Sequence, residues 1–350
     1  MQRKCCNIII ALIAATGFLS AEPIRIVSYN VENLFHPKHD SIMVDSAWVE
    51  KDDWEWTPEG ERNWSYTRYY RKVENIARVL THIGEWDGVD IAGLQEVENA
   101  TCLKRLCYIL RRGEYDFVHY ESPDPRGIDV ALVYKKTRVD TISSRAIRVQ
   151  NTEYRVQNTD PAADRLQTRD ILYVCARVDK QDTLHLFVCH LPSQRGGTAE
   201  SEWKRKAVKE VLQHAVDSVY RTDAHAKIIV MGDMNSEPKD DLTGLRNRMS
   251  TSPIPSSRGE KIMNERQMYD VGGMKGTHKY QGRWSCLDQF YVSPALDSLS
   301  TTQIYNAEWI QEPDEKYLGL RPKRTYNGFH YQNGFSDHLP IVLKVESERL

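Results

Sequence analysis

Residues 228–238 read Ile-Ile-Val-Met-Gly-Asp-Met-Asn-Ser-Glu-Pro. The apolar, mostly branched run at the start is typical of a buried strand, and Gly232 and Pro238 mark where it ends. Asp233 and Asn235 lie two residues apart, so on an extended backbone their side chains point to the same side. In α/β folds, ligands bind at the carboxyl ends of strands. The segment therefore predicts either a strand with an ordinary polar turn or one wall of a functional site.

Apolar runs of strand length alternate with helical periodicity along the rest of the chain. Strands are predicted at 24–31, 89–94, 117–120, 129–134, 168–179, 183–189 and 287–292, with a last strand near the carboxyl end, and helices at 67–83, 100–110 and 199–220. This alternation is typical of a layered α/β fold. The polar, tryptophan-rich segment 36–62 is expected to form a long irregular loop. No repeat or domain boundary follows residue 22, so we expect one domain over residues 22–350.

The composition excludes some functional classes. The chain has 350 residues, of which 40% are hydrophobic, so it can build a sizeable core. Its 47 Lys and Arg residues face 49 Asp and Glu residues, a formal net charge of −2, which is unlike a strongly basic nucleic-acid binder. A phosphate substrate stays compatible with this balance because a bound metal ion can supply local positive charge.

Residues 1–21 have the pattern of a secretory signal peptide. Arg3 and Lys4 precede an apolar run at residues 8–18, and small residues before Glu22 offer a cleavage site. The apolar run is too short to span a bilayer well, so we expect no stable membrane insertion. The protein is therefore expected to be exported, to a periplasm or to the medium.

Five cysteines follow the predicted signal peptide, an odd and sparse set that excludes a disulfide scaffold. They are Cys102, Cys107, Cys175, Cys189 and Cys286. Cys175 and Cys189 lie in apolar strand-like runs and are most simply buried small hydrophobic residues. A single bridge, Cys102 with Cys107 or Cys175 with Cys189, stays open at this point.

Polar side chains stand at the ends of several predicted strands. They are Asn30 and Glu32, Glu96, His190, Asp233 and Asn235, and Asp337 and His338 before the last strand. If these strands share a sheet orientation, their ends converge on one cleft. Each residue also has an ordinary alternative: turn hydrogen bonds for the amides, a helix N-terminal charge for Glu96, and structural hydrogen bonds for the histidines.

The combination of side chains suits a hard divalent cation and a phosphate. Carboxylates such as Glu96 are ligands that Mg²⁺ prefers, and the chain lacks the His-x-x-x-His or paired-cysteine spacing of a zinc site. Histidines and amides can hold phosphate oxygens as charge develops. Asp233 can orient or activate water, and Asp288 beside His338 or His190 would favour a protonated imidazole.

Six motifs in order resemble the endonuclease/exonuclease/phosphatase superfamily. They are Tyr-Asn-Val-Glu-Asn (29–33), Leu-Gln-Glu-Val (94–97), His-Leu-Pro (190–192), Gly-Asp-Met-Asn (232–235), Leu-Asp-Gln-Phe (287–290) and Ser-Asp-His-Leu-Pro (336–340). The superfamily includes deoxyribonuclease-I-like nucleases, apurinic endonucleases, sphingomyelinases and inositol polyphosphate 5-phosphatases. The resemblance extends over about residues 24–345.

This resemblance implies the fold and the reaction. The fold would be an α/β (α+β) four-layer α/β/β/α sandwich with two packed mixed β-sheets, formed by a single catalytic domain over residues 22–350. The reaction would be hydrolysis of a phosphoester by direct attack of water, dependent on Mg²⁺ or Mn²⁺.

The resemblance also implies roles for the metal ligands and the catalytic residues. Glu96 would be the main metal ligand, supported by Asn30, Glu32 and Asp337. Glu32 departs from the family pattern, since some relatives have Asp at its position and others have no acid. Asp233 would orient or deprotonate the attacking water. Asn235 and His190 would contact the phosphate oxygens, and His190 could also assist the leaving group. His338 would stabilise the transition state, and Asp288 would hold His338 in place.

Three arginines are candidate substrate contacts. Arg126 lies in an Arg-Gly-Ile-Asp segment that resembles the family segment leading into a cleft strand, and Arg195 and Arg324 belong to two further basic stretches. The alternative for each arginine is a solvated surface charge.

We therefore expect an exported, metal-dependent phosphoesterase that acts as a monomer on a phosphate-ester substrate. A nuclease acting on nucleic acid is favoured over a lipid or inositol phosphate phosphatase or phosphodiesterase of the same fold. A non-catalytic binding module stays as the alternative from another functional class.

Overall fold

The computed structural model describes residues 22–44, 47–85, 87–149, 166–194, 198–238, 250–251 and 276–346. The predicted signal peptide, residues 1–21, and Arg195 lie outside these ranges. In chain order the main elements are β1 (Ile24–Leu34), β2 (Ser41–Val44), β3 (Ala47–Glu50), α1 (Tyr66–Ile83), β4 (Ile91–Val97), α2 (Ala100–Arg111), β5 (Tyr115–His119), β6 (Asp129–Lys135), β7 (Val139–Ile147), β8 (Ile171–Val178), β9 (Asp182–His190), α3 (Thr198–Thr222), β10 (Lys227–Asp233), β11 (Ser250–Thr251), β12 (His278–Tyr280), β13 (Arg283–Ser285), β14 (Asp288–Val292), β15 (Ser300–Ile304), β16 (Gln311–Pro313), β17 (Leu320–Pro322), β18 (Tyr326–Asn327), β19 (His330–Tyr331) and β20 (Ile341–Val345).

The described strands form two six-stranded mixed sheets and several small hairpins. In spatial order the first sheet is β15-β20-β1-β4-β6-β5, and the second sheet is β11-β14-β10-β9-β8-β7. Strand β1 pairs with β4 in parallel, and β10 pairs with β9 in parallel. The small hairpins β2-β3, β12-β13, β16-β17 and β18-β19 extend from the sheets.

Strand β10 illustrates why the apolar runs form the centre of the molecule. Ile228 and Val230 pack in a core that includes Leu212 of α3. Ile229 and Met231 pack in a different core, between the two sheets. Since successive side chains of a strand point to opposite faces, a strand buried on both faces must be apolar throughout.

The layers lie in the order helix, sheet, sheet, helix. Helices α1 and α2 cover the outer face of the first sheet, where Leu80 and Leu103 share a core with Val27. Between the sheets the packing is close, because a Cβ atom at Gly93 would lie 2.7 Å from the Met231 sulfur. Helix α3 covers the outer face of the second sheet. The predicted four-layer sandwich with two mixed sheets is therefore confirmed.

One local prediction was wrong, and one strand was missed. Segment 36–62 is not an irregular loop throughout, because it contains the β2-β3 hairpin and the 3-10 helix Trp54–Trp56. The Trp56 ring stacks on Phe35 with centroids 4.9 Å apart, so it anchors the segment to the end of β1. Strand β7 was not predicted, because it is an edge strand with mostly exposed or half-buried side chains and has no apolar run.

The five cysteines after the predicted signal peptide all have free, buried thiols. Neither of the two pairings left open by the sequence therefore forms, and these residues serve as small apolar side chains. No helix in the described part of the chain is long and apolar enough to cross a membrane.

We predict that Gly232→Ala destabilises the protein by at least about 3 kcal/mol. Gly232 has φ 146°, and an added Cβ atom would lie 1.9 Å from the carbonyl oxygen of Cys189 on β9. An alanine there would combine backbone strain of about 1–3 kcal/mol with a clash against the neighbouring strand. The free energy of unfolding in urea measures the effect.

Gly113→Ala is the matched control for that measurement. Gly113 also has a positive φ, 85°, but an added Cβ atom would meet nothing within 4 Å. This variant should lose only about 1–2 kcal/mol, the cost of a left-handed non-glycine residue. Equal losses in the two variants would contradict the close approach of β9 and β10.

Candidate active site

Three strands of the second sheet deliver polar groups at the same level. Asp233 is paired with His190 in the parallel ladder and with Asp288 in the antiparallel ladder. Directly paired residues point to the same face of a sheet, so the register brings these three buried side chains together. Two carboxylates placed side by side repel each other, and the arrangement therefore requires positive charge nearby.

His338 supplies that charge. Its Nδ1 atom lies 2.7 Å from Asp288 Oδ2, and its Nε2 atom lies 3.8 Å from Asp233 Oδ2. Burial alone would lower the pKa of His338, but Asp288 and Asp233 outweigh it and raise that pKa well above the ordinary value of 6.5. At neutral pH His338 is therefore an imidazolium placed between two carboxylates.

His190 is in the opposite charge state. Burial lowers its pKa well below 6.5, and the positive charges of Arg169 and Arg126 lower it further. Its Nε2 atom lies 3.6 Å from Asp233 Oδ2, and its buried Nδ1 atom has no hydrogen-bond partner among the described groups. The site thus contains one neutral and one charged imidazole on either side of Asp233.

Asp233 is the centre of this arrangement. Its Oδ2 atom accepts a hydrogen bond of 3.0 Å from Asn30 Nδ2 on the first sheet. Burial raises the pKa of Asp233 to about 6, although the nearby His338 acts to lower it. The carboxylate is therefore largely ionised at neutral pH and keeps an affinity for a proton.

Glu96 reaches the site through an irregularity of β4. The register of β4 against β6 shifts between Gln95 and Val97, and Glu96 has φ 65°. Bulges of this kind re-aim a side chain at the edge of a sheet. Glu96 Oε2 accepts the Asn33 N–H at 2.9 Å, and Oε1 lies 3.6 Å from Arg126 Nη2. Glu96 Oε1 also lies 4.0 Å from His190 Nε2, so the two sheets face each other across the cleft.

Side-chain turns, rather than extended backbone, place the remaining groups. The prediction that Asp233 and Asn235 share a side through strand geometry was wrong, because β10 ends at Asp233 and Asn235 has φ 46°. Instead, Asp233 Oδ1 accepts the Asn235 N–H at 2.9 Å. This Asx-type turn holds the pair together. Asn235 Nδ2 then donates to the carbonyl oxygen of Leu191 at 2.9 Å.

The same turn recurs at two other walls of the site. Asn30 Oδ1 accepts the Glu32 N–H at 3.0 Å, and Ser336 Oγ accepts the His338 N–H at 3.0 Å. Ser336 Oγ also donates to the carbonyl oxygen of Asn30 at 2.7 Å. The serine therefore joins the segment that carries His338 to the end of β1.

Two of the predicted metal ligands are held by cations. Glu32 Oε2 accepts the Thr325 N–H at 2.6 Å and lies 4.0 Å from the ammonium of Lys72. Asp337 Oδ2 accepts from Arg324 Nη2 at 2.6 Å. Burial and the charge of Asp337 raise the pKa of Glu32 to about 7. Arg324, predicted to contact substrate, thus also neutralises Asp337.

Lys72 and Arg169 are functional-site residues that the sequence analysis missed. Lys72 is buried in α1 and donates to the carbonyl oxygen of Phe335 at 2.6 Å, next to the segment that carries His338. The sequence signal that could have indicated its burial was its position in the apolar stripe of α1. Arg169 donates to Asp124 Oδ2 at 2.7 Å and to the Leu191 carbonyl oxygen at 2.8 Å. It therefore ties the Arg126 loop to the His190 segment.

Clusters of potential metal ligands occur in the described part of the chain. Three groups of His, Asp and Glu residues have donor atoms within 4.8 Å of one another: His278, Asp337 and His338; Asp233, Asp288 and His338; and His119, Glu121 and Asp129. His338 cannot itself ligate an ion while it is an imidazolium, because both ring nitrogens are then donors. Glu96 and Glu32 belong to none of these groups. Glu96 nevertheless points a carboxylate oxygen, Oε1, towards the cleft, where its neighbours are Arg126 and His190. The ring of His278, also missed from the sequence, packs against the ring of His338 with centroids 4.7 Å apart and planes tilted by 36°.

The comparisons with known proteins concern the family and the fold of the chain. A family model described as "Endonuclease/Exonuclease/phosphatase family" matches residues 25–347. No curated protein sequence matches the chain.

Solved structures with a similar fold cover nearly the whole chain. Truncated Caenorhabditis elegans TDP2 has a TM-score of 0.55 at 15% identity, with 93% of this chain and 98% of that chain covered. An endonuclease/exonuclease/phosphatase from Bacteroides vulgatus has a TM-score of 0.54 at 14% identity, with 93% and 98% covered. A Bacteroides thetaiotaomicron mannosyl-6-phosphatase has a TM-score of 0.52 at 14% identity, with 92% and 99% covered. At these identities the likeness concerns the fold.

We predict that Asp288→Asn lowers the pKa of His338 by at least about one unit. Burial then acts on the imidazole without its hydrogen-bonded carboxylate, and only Asp233 and Asp337 still raise the pKa; one unit corresponds to about 1.4 kcal/mol. NMR titration of the imidazole carbons measures this pKa. The imidazole of His185, whose pKa burial lowers and which hydrogen-bonds Tyr173, is the internal control and should not shift.

The sign of the pH effect on stability follows from the same pair. Because the pKa of His338 is raised in the folded protein, the pair stabilises the fold fully below about pH 6.5. That contribution disappears as pH rises through the raised pKa. The Asp288→Asn variant should show a smaller alkaline loss of stability, and an unchanged alkaline profile would contradict the assigned pair.

Proposed function

Since the chain belongs to the endonuclease/exonuclease/phosphatase family, we propose that it hydrolyses phosphodiesters by direct attack of water, with a bound Mg²⁺ or Mn²⁺ ion and with nucleic acid as substrate. The observation that carries the proposal is the position of Asp233, between a neutral His190 and a charged His338 and opposite Glu96. A base, an anion-binding group and a metal-binding carboxylate thus surround one cleft.

The donor set of the cleft fits a hard divalent ion. Glu96 Oε1 faces the cleft, and the Asn30 side-chain oxygen has a second lone pair beyond the one that accepts the Glu32 N–H. Glu96 would hold the ion, with Asn30 beside it. Glu32 and Asp337 are further candidate ligands, although each is engaged by a cationic side chain. The ion, when bound, would polarise a phosphate oxygen and offset its charge.

The remaining steps belong to the side chains of the second sheet and the His338 segment. Asp233 accepts a proton from water that lies in line with the phosphorus atom, as its raised pKa favours. The His338 imidazolium donates to a phosphate oxygen as negative charge accumulates there, while Asp288 keeps it protonated. His190 and Asn235 complete the contacts to phosphate oxygens. The N–H of neutral His190 can alternatively donate a hydrogen bond to the leaving oxygen, which takes its proton from solvent.

Two guanidinium groups favour a polymeric substrate. Arg126 stands beside Glu96, and Arg324 stands beside Asp337, with side chains that are 35% and 31% exposed. Cations beside two different acids of the site suit a chain that carries more than one phosphate. Arg195, outside the described residues, stays a candidate for the same contact. A phosphomonoester is the alternative substrate, because a mannosyl-6-phosphatase is among the solved structures with this fold.

We predict that Glu96→Gln and His338→Gln each lower kcat for bis-p-nitrophenyl phosphate and plasmid DNA by at least about a hundredfold. Each variant removes a preorganised charge that stabilises the transition state. EDTA should abolish activity, and added Mg²⁺ or Mn²⁺ should restore it. Glu74→Gln, a change of an exposed carboxylate on α1, should leave kcat unchanged.

Titration calorimetry with Mn²⁺ separates the enzyme from a non-catalytic binding module. The wild-type protein and the Glu74→Gln variant should bind the ion, and the Glu96→Gln variant should bind it at least about tenfold more weakly. Activity that survives Glu96→Gln would overturn the assigned site. Metal binding without hydrolysis of DNA, RNA, phosphoinositides, sphingomyelin, sugar phosphates or small diesters would overturn the proposed function.

We further propose that the protein is exported through the signal peptide of residues 1–21. The basic start followed by an apolar run is the supporting pattern. Residues 1–24 fused to mature alkaline phosphatase should give phosphatase activity outside the cytoplasm. An Arg substitution at Ile10 should abolish export by interrupting the apolar run, and equal export by both fusions would contradict the proposal.

A further inference from the structure

A group of exposed apolar side chains lies on two hairpins next to the site. Tyr280 is on β12, Tyr317 and Leu318 are in the turn between β16 and β17, and Leu320 begins β17. These side chains are 66%, 40%, 78% and 44% exposed, respectively. We call these four residues the rim surface. Contiguous exposed apolar side chains commonly mark interaction sites.

The two hairpins are fixed to each other by a shielded ion pair. Lys279 Nζ lies 2.9 Å from Asp314 Oδ2, and both side chains are only 4% exposed. The same ammonium donates to the carbonyl oxygen of Leu318 at 2.7 Å. Tyr317 packs on the turn of the β12-β13 hairpin, where a Cβ atom at Gly282 would lie 3.0 Å from its Cβ atom. The rim surface is therefore presented on a rigid support.

Leu318 has an unusual backbone conformation for an exposed leucine. Its φ is 63°, in the left-handed region, which costs an L-residue about 1–2 kcal/mol. The side chain offsets none of this strain by burial, because it is the most exposed of the four. Strained residues that packing does not explain often serve a function.

The rim surface is continuous with the catalytic site. Strand β12 begins at His278, whose ring packs against the ring of His338 and whose Nε2 atom lies 4.0 Å from Asp337 Oδ2. Tyr280 follows two residues later, about 7 Å along the strand. A substrate that leaves the cleft past His278 therefore meets Tyr280 next.

Cations stand among the aromatic rings. Arg283 faces Tyr280 across the β12-β13 hairpin, and Lys316 lies 4.9 Å from the centre of the Tyr317 ring. Both are exposed, and Lys323 lies just beyond β17. Glu315 is the exposed acid in the same turn. Aromatic faces interleaved with cations are the recognition pattern for single-stranded nucleic acid, whose bases stack and whose phosphates need positive charge.

We propose that the rim surface binds the single-stranded segment of nucleic acid that extends from the catalytic site. Bases stack on Tyr280 and Tyr317, Leu318 packs against a base or sugar, and Arg283 and Lys316 contact phosphates. A duplex does not fit this pattern, since its base faces are hidden in the stack. The inference rests on the proposed function and extends it to the strandedness of the substrate.

Fluorescence anisotropy with the wild-type protein in EDTA tests the proposal without cleavage. A labelled twelve-nucleotide oligothymidylate should bind more tightly than a hairpin duplex of the same length. Tyr280→Ser should weaken oligothymidylate binding about tenfold, as expected when one stacking residue is lost. Tyr108→Ser, which changes a similarly exposed tyrosine on α2, is the matched control and should have no effect. Equal losses in the two variants, or tighter binding of the duplex, would overturn the proposal.

Leu318→Gly separates binding from stability. Glycine accepts the left-handed backbone but gives the unfolded chain more freedom, so the two effects largely offset each other and this variant should unfold at or slightly above the temperature of the wild type. It should nevertheless bind the oligonucleotide several-fold more weakly. Weaker binding together with a lower unfolding temperature would indicate a structural defect and overturn the assignment of Leu318.

Two further measurements distinguish this inference from the proposed function. The ratio of kcat/KM for the oligonucleotide to kcat/KM for bis-p-nitrophenyl phosphate should fall about tenfold in the Tyr280→Ser variant, through KM. Hydrolysis of the small diester with no oligonucleotide binding would overturn the inference and leave a phosphoesterase. Co-sedimentation with phosphatidylcholine–phosphatidylglycerol vesicles tests a lipid bilayer as the partner. If Tyr280→Ser abolishes co-sedimentation and leaves oligonucleotide binding unchanged, the rim surface binds a bilayer and the inference is overturned.

Discussion

The hydrogen bond from Asn30 to Asp233 joins the two sheets at the bottom of the cleft, and the rest of the site depends on it. Each residue lies near the end of a strand, one in each sheet, and both are buried. A buried carboxylate without partners is unstable, so the amide of one sheet fixes the position of the acid of the other. With Asp233 held there, His190 and His338 can approach it from two sides, and Glu96 faces the same space.

Charge balance explains why the site can be this acidic and still fold. The negative charge of Asp288 is offset by His338, that of Asp337 by Arg324, and that of Glu32 by the buried Lys72. Removing one partner of a buried pair is costly because it leaves an uncompensated charge. Glu96 has a partner too, since Arg126 lies 3.6 Å from its Oε1 atom. Because that oxygen also faces the cleft, 4.0 Å from His190 Nε2, an ion that enters from solvent can reach it.

Much of the fold could be predicted because the apolar runs of β1, β4, β9 and β10 are long and unambiguous, and ordered motifs end them. The irregular backbone could not be predicted, since the positive φ of Glu96 and the Asx-type turn at Asn235 depend on contacts with distant residues. The roles of Lys72 and Arg169 could not be predicted, because most lysines and arginines are surface residues and the sequence does not show the buried acid or carbonyl group that a cation will contact. The edge strand β7 lacks an apolar run altogether.

The pairing of β1 with β20 has a consequence for biosynthesis. Ile24 is in register with Val345, so the first described strand finds this neighbour only when the far end of the chain is available. His338 lies three residues before β20, and Ser336 ties its segment to Asn30. The proposed site of a nascent chain therefore stays incomplete until the segment that carries Ser336 and His338 and the strand β20 have left the ribosome. The proposed activity thus arises in one late step of synthesis.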